Sequence, residues 1–312
     1  MPADNPFVIS ETLTTQPEEI VQPQVDWKTL AAVLLMVTLF ASAFAGIRVG
    51  LQSYSPQSVA LLRYLTASIF LAGYALIVRM HLPAWRDMPG IALSGFIGIT
   101  VYNITLNTGE MQIPAGTASL IVASAPIFVA LLATRYQQER IGIKVWAGIV
   151  LSFLGVAVIT IEPGERFALS TGALLVLLAA ISSAVYTIIQ KPFLRRYSPM
   201  QYVTFAFWAG TLCLMIFLPG LIRELPMASL ESTLAVVYMG IFPAVVGYAA
   251  WAYLVSRMPA SKAGSFLYLI PAFAILIAWV WLGELPDLMS IFGGILVVAG
   301  VLLVHLVRQK LR

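Results

Sequence analysis

Long apolar runs, separated by short polar connectors, make up most of the chain after residue 28. A helix that crosses a bilayer needs about 20 mostly apolar residues, because each helical residue rises about 1.5 Å. Ten runs have this length, at about 29–50, 57–78, 89–109, 115–135, 142–161, 171–190, 199–219, 231–252, 261–282 and 287–307. The pattern therefore predicts an all-α integral membrane protein with ten transmembrane helices.

Residues 1–27 have a different composition, with four prolines, five acidic residues and no Lys or Arg. Such a segment cannot bury enough apolar surface to fold, so we expect a disordered cytoplasmic tail. The apolar run at 30–40, followed by small residues, is also compatible with a cleaved signal peptide. The acidic tail does not fit the positively charged start that such a peptide needs.

The overall composition excludes an ordinary soluble globule. Only 10% of the 312 residues are charged and 60% are hydrophobic, whereas a soluble domain has about 25% charged residues. The net charge of +4 comes mainly from Lys and Arg in short connectors. We interpret these residues as signals that set the orientation of the spans in a lipid bilayer. We do not expect them to bind nucleic acid.

The distribution of Lys and Arg predicts the orientation of the spans. Fourteen of these residues fall on the side of the N-terminus and three, Arg48, Arg166 and Arg223, on the opposite side. Cytoplasmic loops carry the excess of positive charge. We therefore expect both termini to be cytoplasmic.

The second half of the chain repeats features of the first at a nearly constant spacing. An offset of 143 residues aligns two Tyr-Ser-Pro connectors, at 54–56 and 197–199. At an offset of 145, identical residues align in pairs: Pro126 and Pro271, Glu139 and Glu284, Gly148 and Gly293, Gly155 and Gly300. Five spans per copy is an odd number, so residues 28–163 and 164–312 are expected to form two inverted five-helix repeats. Such repeats enclose a central cavity that opens to each side in turn.

These motifs resemble those of the drug/metabolite transporter superfamily, in its ten-helix EamA-type branch. The resemblance rests on Pro-Ala-Gly-Thr-Ala-Ser at 114–119, Pro-Ala-Ser-Lys-Ala at 259–263, and Gly283-Glu284 followed by spaced glycines. It covers about residues 28–308 and is greatest to bacterial exporters of aromatic amino acids, which also handle methionine and threonine. The resemblance implies amino-acid export through a cavity lined mainly by spans one, three, four, six, eight and nine.

Neutral polar and aromatic side chains within the spans are the candidate substrate ligands. Aromatic faces attract an ammonium group by cation–π interaction and tolerate varied apolar side chains. The candidates are Tyr102, Asn103, Asn107, Tyr186, Gln190, Tyr248, Trp251, Ser265 and Tyr268. The alternative is structural, since Ser in membrane helices bonds helix to helix and Tyr and Trp form interfacial belts. The glycines of spans five and ten are expected to serve close helix packing.

Two basic residues and two prolines complete the candidate site. Arg63, about two turns into span two, either binds a substrate carboxylate, extends to the outer membrane interface or pairs with helix-end carbonyls. Lys262, in the first turn of span nine, either meets a carboxylate at the inner mouth or serves as a topology signal. Pro126 and Pro271 fall within spans at paired positions, where they act as hinges, free backbone carbonyls to serve as ligands, or only kink the helix.

Other classes of function find little support in the sequence. Glu110 is expected at the membrane interface, and Glu284 at a helix end, with a role in packing or orientation. No titratable carboxyl is evident near the midplane of the spans, so a facilitator or weakly coupled transporter is predicted. The single Cys213, two histidines and the lack of a phosphate-binding loop indicate no metal, cofactor or catalytic site. Export of drugs, nucleosides or other metabolites is the alternative; a membrane enzyme or receptor leaves the duplication unexplained. The sequence does not indicate the oligomeric state.

Overall fold

The computed structural model describes residues 27–137, 143–160, 170–257 and 266–310. Every regular element among these residues is helical, and none of them forms a β-strand. The helices of the first half are α1 (Trp27–Gly50), α2 (Pro56–Ile77), α3 (Met88–Gly95), α4 (Tyr102–Glu110), α5 (Ala115–Val122), α6 (Ala125–Gln137) and α7 (Ile143–Thr160). Those of the second half are α8 (Thr171–Gln190), α9 (Pro199–Leu214), α10 (Leu218–Glu224), α11 (Leu230–Ile241), α12 (Tyr248–Arg257), α13 (Ile270–Leu282) and α14 (Leu288–Lys310).

The all-helical membrane character predicted from the sequence is confirmed. Six of the predicted spans contain described helical stretches long and apolar enough to cross a bilayer: Trp27–Gly50, Pro56–Ile77, Trp85–Glu110, Thr171–Arg195, Pro199–Glu224 and Leu230–Trp251. Shorter apolar helices lie within the four other predicted spans, at Ala115–Val129, Trp146–Val158, Phe266–Leu282 and Leu288–Leu303. Many large apolar side chains of these helices are exposed, as a lipid environment requires.

Serine caps fix where several helices begin. Ser55 precedes α2 and Ser198 precedes α9, each with extended backbone and each followed by proline. Their hydroxyl groups accept hydrogen bonds from the backbone N–H of Ser58, at 3.4 Å, and of Gln201, at 3.2 Å. Such caps satisfy donors that the first helical turn leaves without an intrahelical partner.

Two spans contain a π-helical segment. The first, Phe96–Val101, connects α3 to α4, and the second, Phe242–Gly247, connects α11 to α12. A π turn has one more residue than an α turn and changes the direction of the side chains that come after it. Continuous spans were predicted here, because hydropathy does not distinguish a π turn from an α turn.

Both predicted hinge prolines lie at the start of a helix. Pro126 occupies the first turn of α6, after a break at Ala123–Ser124, and Pro271 occupies the first turn of α13, after the 3-10 turn Phe266–Leu269. Proline is tolerated in a first turn because its missing N–H would have no partner there. The prolines therefore interrupt their spans instead of kinking a continuous helix.

Helices α7 and α14 pack side by side through small residues. A Cβ atom added to Gly155 would lie 2.5 Å from the carbonyl oxygen of Gly293, and one added to Gly300 would meet the carbonyl of Gly148. Between these contacts, the hydroxyl of Ser152 donates a 2.9 Å hydrogen bond to the carbonyl of Val297. The predicted packing role of these glycines is confirmed.

The interior is built around α1 and α8. Helix α1 packs against α11, α12 and α13, while α8 packs against α4, α5 and α6. Helices α2 and α9 contact each other, and α2 also contacts α4 and α11. This arrangement directs residues of α1, α2, α4, α8, α9 and α12 toward a common interior.

Candidate functional site

Aromatic rings from four helices meet in the interior. Phe207 of α9 contacts Tyr64 of α2 and Tyr248 of α12, with ring centroids 5.0 Å and 5.4 Å apart. Phe40 of α1 contacts the same Tyr248 at 5.4 Å. All three contacts are edge-to-face, the geometry that the aromatic quadrupole favours. We call Phe40, Tyr64, Phe207 and Tyr248 the aromatic cluster.

Arg63 lies beside this cluster and is 8% exposed. Its guanidinium carbon is 5.4 Å from the ring centroid of Tyr64. The Nε atom has no hydrogen-bond partner among the described residues. None of the described carboxylates forms an ion pair with Arg63. Such burial does not fit the alternative in which this side chain extends to the membrane interface.

Asn103 and Asn107 are both buried on one face of α4. Asn103 donates from Nδ2 to the carbonyl of Ile99 at 2.8 Å, within the π-helical region of its own span. Asn107 donates from Nδ2 to the carbonyl of Pro56 at 2.9 Å and so joins α4 to the start of α2. The Oδ1 atoms of both amides have no partner among the described residues. Each amide therefore keeps an acceptor available to a ligand.

The other predicted ligands are more scattered. Tyr186 is buried on α8, with its ring centroid 6.0 Å from that of Tyr202, and Gln190 is half-buried one turn further on. Trp251 packs with residues of α1, and Tyr102 and Tyr268 are half-buried against the main apolar core. Lys262 and Ser265 lie outside the described residues.

A charged group lies at the end of the molecule that the sequence predicts to face outward. Arg48, in the last turn of α1, donates from Nε and Nη2 to Oε1 of Glu284, at 3.0 Å and 2.8 Å. Oε2 of Glu284 accepts from the backbone N–H of Ala115 at 3.4 Å, and Nη1 of Arg48 donates to the backbone carbonyl of Glu110. Three parts of the chain that are distant in sequence, at residues 48, 110–115 and 284, are joined here.

Local structure explains the position of Glu284. Gly283 ends α13 in the left-handed conformation, with φ at 68°. Its N–H and that of Glu284 donate to the carbonyls of Trp279 and Ala278, as in a typical glycine-terminated helix. The chain reverses at this point, and the carboxylate of Glu284 faces Arg48.

Glu110 is the last residue of α4 and is fully buried, with 0% exposure. Both of its carboxyl oxygens are without a hydrogen-bond partner among the described residues. The sequence predicts Glu110 at the membrane interface, and the structure adds that its side chain is covered by protein, with α1, α2 and α5 in contact with α4. We call Arg48, Glu110 and Glu284 the outer cluster.

A cavity of about 240 Å³ opens beside the outer cluster. It is lined by Arg48, Leu51, Gln52, Met111, Leu282 and Glu284. None of the predicted site residues within the described ranges is among these. Sequence reasoning interpreted Arg48 as a topology signal and Glu284 as a packing residue, and the spacing of 236 residues between them gave no signal of their contact.

A second polar contact joins connectors at the opposite end. Asp87 accepts from Nη1 of Arg196 at 2.7 Å and from the hydroxyl of Tyr197 at 2.6 Å. The same hydroxyl accepts from the backbone N–H of Ala84 at 3.0 Å. The hydrogen bond to Asp87 raises the pKa of Tyr197 above its ordinary value. Within the described ranges, no three His, Cys, Asp or Glu residues are grouped as metal ligands.

Known proteins are similar to this chain over most of its length. The model of the EamA-like transporter family matches twice, at residues 27–161 and 170–306. The uncharacterized transporter YdfC of Bacillus subtilis (strain 168) is 43% identical over 277 residues, which cover 89% of this chain and 90% of YdfC. A protein of Streptantibioticus cattleyicolor, described as "Probable terminal-alkyne amino-acid exporter", is 39% identical over 279 residues, with 89% and 93% coverage. One crystal structure shares the fold, with a TM-score of 0.58, 20% identity and coverage of 91% of this chain and 97% of the other.

Proposed function

Because the chain belongs to the EamA-like transporter family, we propose that it exports amino acids across the bacterial inner membrane by alternating access. The substrates are aromatic amino acids, methionine, threonine and their analogues. The exporter from Streptantibioticus cattleyicolor, which is named for an amino-acid cargo, supports this substrate class. Both termini are proposed to be cytoplasmic, on the strength of the fourteen basic residues on their side.

One observation carries the proposal: Arg63 is buried beside a cluster of aromatic rings, and no carboxylate in the described part of the chain forms an ion pair with it. A charge in a membrane interior is costly unless a counter-charge arrives, and a substrate carboxylate supplies one to Arg63. The rings of Tyr64 and Tyr248 offer faces for the ammonium group and for apolar side chains. Asn107 and Asn103 add amide oxygens that accept hydrogen bonds from an ammonium group.

The proposed architecture is two inverted five-helix repeats, at residues 28–163 and 164–312. Reciprocal contacts support it: Gly155 meets Gly293 and Gly300 meets Gly148, so each contact is the repeat equivalent of the other. Ser152 bonds the residue 145 positions later, which is its own equivalent. The π segments begin 146 residues apart, and the family model matches each half separately. A two-fold relation produces such paired contacts.

The two helix breaks at Pro126 and Pro271 are the proposed hinges. Each separates an irregular turn from the helix after it, so a small change of backbone torsion there re-orients half a span. Transport is proposed to be facilitated or only weakly coupled, because Glu110 lies at the end of α4 and the sequence offers no titratable carboxyl near the midplane of a span.

Counterflow in proteoliposomes tests the proposal. Vesicles loaded with an unlabelled amino acid should accumulate the same labelled amino acid only when they contain the protein. Arg63→Gln should abolish this counterflow, and the matched control Arg195→Gln, at an exposed arginine, should retain it. Thermal unfolding in detergent checks that both variants fold. Counterflow of nucleosides or cationic drugs, without counterflow of amino acids, would contradict the proposed substrate class. A fully active Arg63→Gln variant would contradict the binding of the substrate carboxylate by Arg63.

A further inference from the structure

The guanidinium group of Arg48 lies between two acidic residues of the outer cluster. Its Nε and Nη2 bind the carboxylate of Glu284, while Nη1 contacts the backbone of Glu110. The ion pair holds the end of α1 against the turn after α13, and Glu284 also binds the N–H at the start of α5. The pair therefore closes the outward end of the interior.

Glu110 carries a second carboxyl next to this pair. It is buried with no hydrogen-bond donor among the residues that the structure describes, and an ionised carboxylate in such a position is strongly destabilised relative to the neutral acid. It also ends α4, where the helix dipole disfavours negative charge. The closed arrangement thus requires Glu110 to hold a proton.

The groups that face Glu110 determine how the outer cluster responds to the loss of this proton. Arg48 from α1 and Arg63 from α2 stabilise the carboxylate, and Glu284 after α13 opposes it. Tyr102 on its own span also senses the charge of Glu110. Of the two cations, Arg48 already touches the backbone of Glu110 and is 29% exposed, so it is the one placed to exchange between the two carboxyl groups.

We propose that Glu110 is a proton-binding site that controls the outer closure by competing with Glu284 for Arg48. The neutral acid leaves Arg48 on Glu284, and the closure stays shut. When Glu110 gives its proton to water in the adjacent cavity, its carboxylate attracts Arg48 away from Glu284 and the closure opens. Rebinding of a proton from that water reverses the step, so no other reactant is needed. This inference rests on the proposed alternating-access function.

The cavity next to the cluster gives the proton its route. Its lining includes Arg48, Glu284 and Met111, the residue directly after Glu110. Water therefore reaches the backbone beside the buried carboxyl even in the closed state. Acidity on the outer side is then expected to favour the closed form, and alkalinity the open form.

A buried thiol in α5, the helix whose start is bound by Glu284, measures the opening of the closure. Ser119 is buried one turn inside the start of α5, and Ser119→Cys changes only oxygen to sulfur. The parent protein carries this substitution together with Cys213→Ser, which removes the natural, exposed thiol. A membrane-impermeant thiol reagent is applied from the outer side between about pH 5 and pH 8, where a perturbed carboxyl titrates. Each rate is divided by that of the unfolded protein at the same pH, which cancels the ionisation of the thiol.

The normalised rate in the parent should rise with pH, by up to about tenfold per pH unit for one titrating group. Glu110→Gln mimics the neutral acid and should give a low rate at every pH. Glu284→Gln removes the partner that holds Arg48 and should give a high rate at every pH. The matched control Glu231→Gln, at an exposed acid of α11, should keep the rise of the parent.

An unchanged pH dependence in Glu110→Gln overturns the inference, and so does a parent rate that does not change with pH. If Glu110→Gln does not fold, the inference is tested by the other two proteins: the rate should rise with pH in the parent and should be high at every pH in Glu284→Gln. The assay contains no substrate, so it is separate from the test of amino-acid export. Counterflow without a pH-dependent closure contradicts only the proton site, whereas a pH-dependent closure without counterflow contradicts only the substrate.

Discussion

Replacing Gly155 with alanine tests the close contact of α7 and α14. The added Cβ would lie 2.5 Å from the carbonyl oxygen of Gly293 and 2.7 Å from the backbone nitrogen of Val297. Ordinary contacts of carbon atoms are about 3.5–4.0 Å. Both neighbours are backbone atoms, so no side-chain rotation relieves the overlap and the helices must move apart.

The magnitude is the sum of three contributions. Overpacking of this kind costs about 1–3 kcal/mol. Separation of the helices also weakens the 2.9 Å hydrogen bond from Ser152 to Val297, for which a typical net value is about 1 kcal/mol. The higher helix propensity of alanine stabilises the folded state by about 1 kcal/mol relative to glycine. We therefore expect Gly155→Ala to lower the free energy of unfolding by about 1–3 kcal/mol.

Equilibrium unfolding in mixed detergent micelles, monitored by tryptophan fluorescence, measures this free energy. Gly73→Ala is the matched control, because a Cβ at Gly73 in α2 meets nothing within 4 Å. That variant should equal or exceed the wild type in stability. If Gly155→Ala is as stable as Gly73→Ala, α7 and α14 do not pack as closely as described, and the reciprocal contacts lose their value as support for the repeat.

Two further predictions concern tyrosines in different surroundings. Tyr248→Ala should weaken competition by amino acids in the counterflow assay by about 30-fold, the equivalent of a desolvated cation–π interaction of about 2 kcal/mol. Tyr248→Phe keeps the ring contacts to Phe40 and Phe207 and should stay near the wild type. Equal losses in both variants would contradict a role for the aromatic ring. The hydrogen bond to Asp87 raises the pKa of Tyr197, so this bond should persist as the pH passes the ordinary tyrosine value of about 10 and be lost only above the raised pKa. Ultraviolet titration curves of the wild type and of Tyr197→Phe are compared, and their difference should show one phenol that ionises above about pH 10. Ionisation of this phenol at or below that pH would contradict the hydrogen bond between Tyr197 and Asp87.

Hydropathy predicts the helical spans well because a helix that crosses the lipid must be apolar over about 20 residues. Span one was predicted at 29–50 and is found at Trp27–Gly50, and span two was predicted at 57–78 and is found at Pro56–Ile77. The packing of Gly155 against Gly293 was also predictable, since small residues at regular spacing permit close helix contact.

Burial of single charged residues was not predictable in the same way. Glu110 comes at the end of an apolar run, and a hydropathy profile places such a residue at the membrane surface. Its burial depends on which helices pack around the end of α4, which is a property of the tertiary structure. The contact of Arg48 with Glu284 spans 236 residues and has no local signature. Arg63 stood out in the sequence because it interrupts a span, yet its aromatic surroundings come from other helices.

The π segment at Phe96–Val101 also sets the angular register of everything after it in that span. Each residue of an α-helix advances about 100° around the axis, so deleting one residue would rotate the rest of the span by that angle. Asn103, Asn107 and Glu110 would then turn toward a different neighbour while every local contact within the helix stayed regular. The inward direction of these three side chains thus depends on one surplus residue in the π segment.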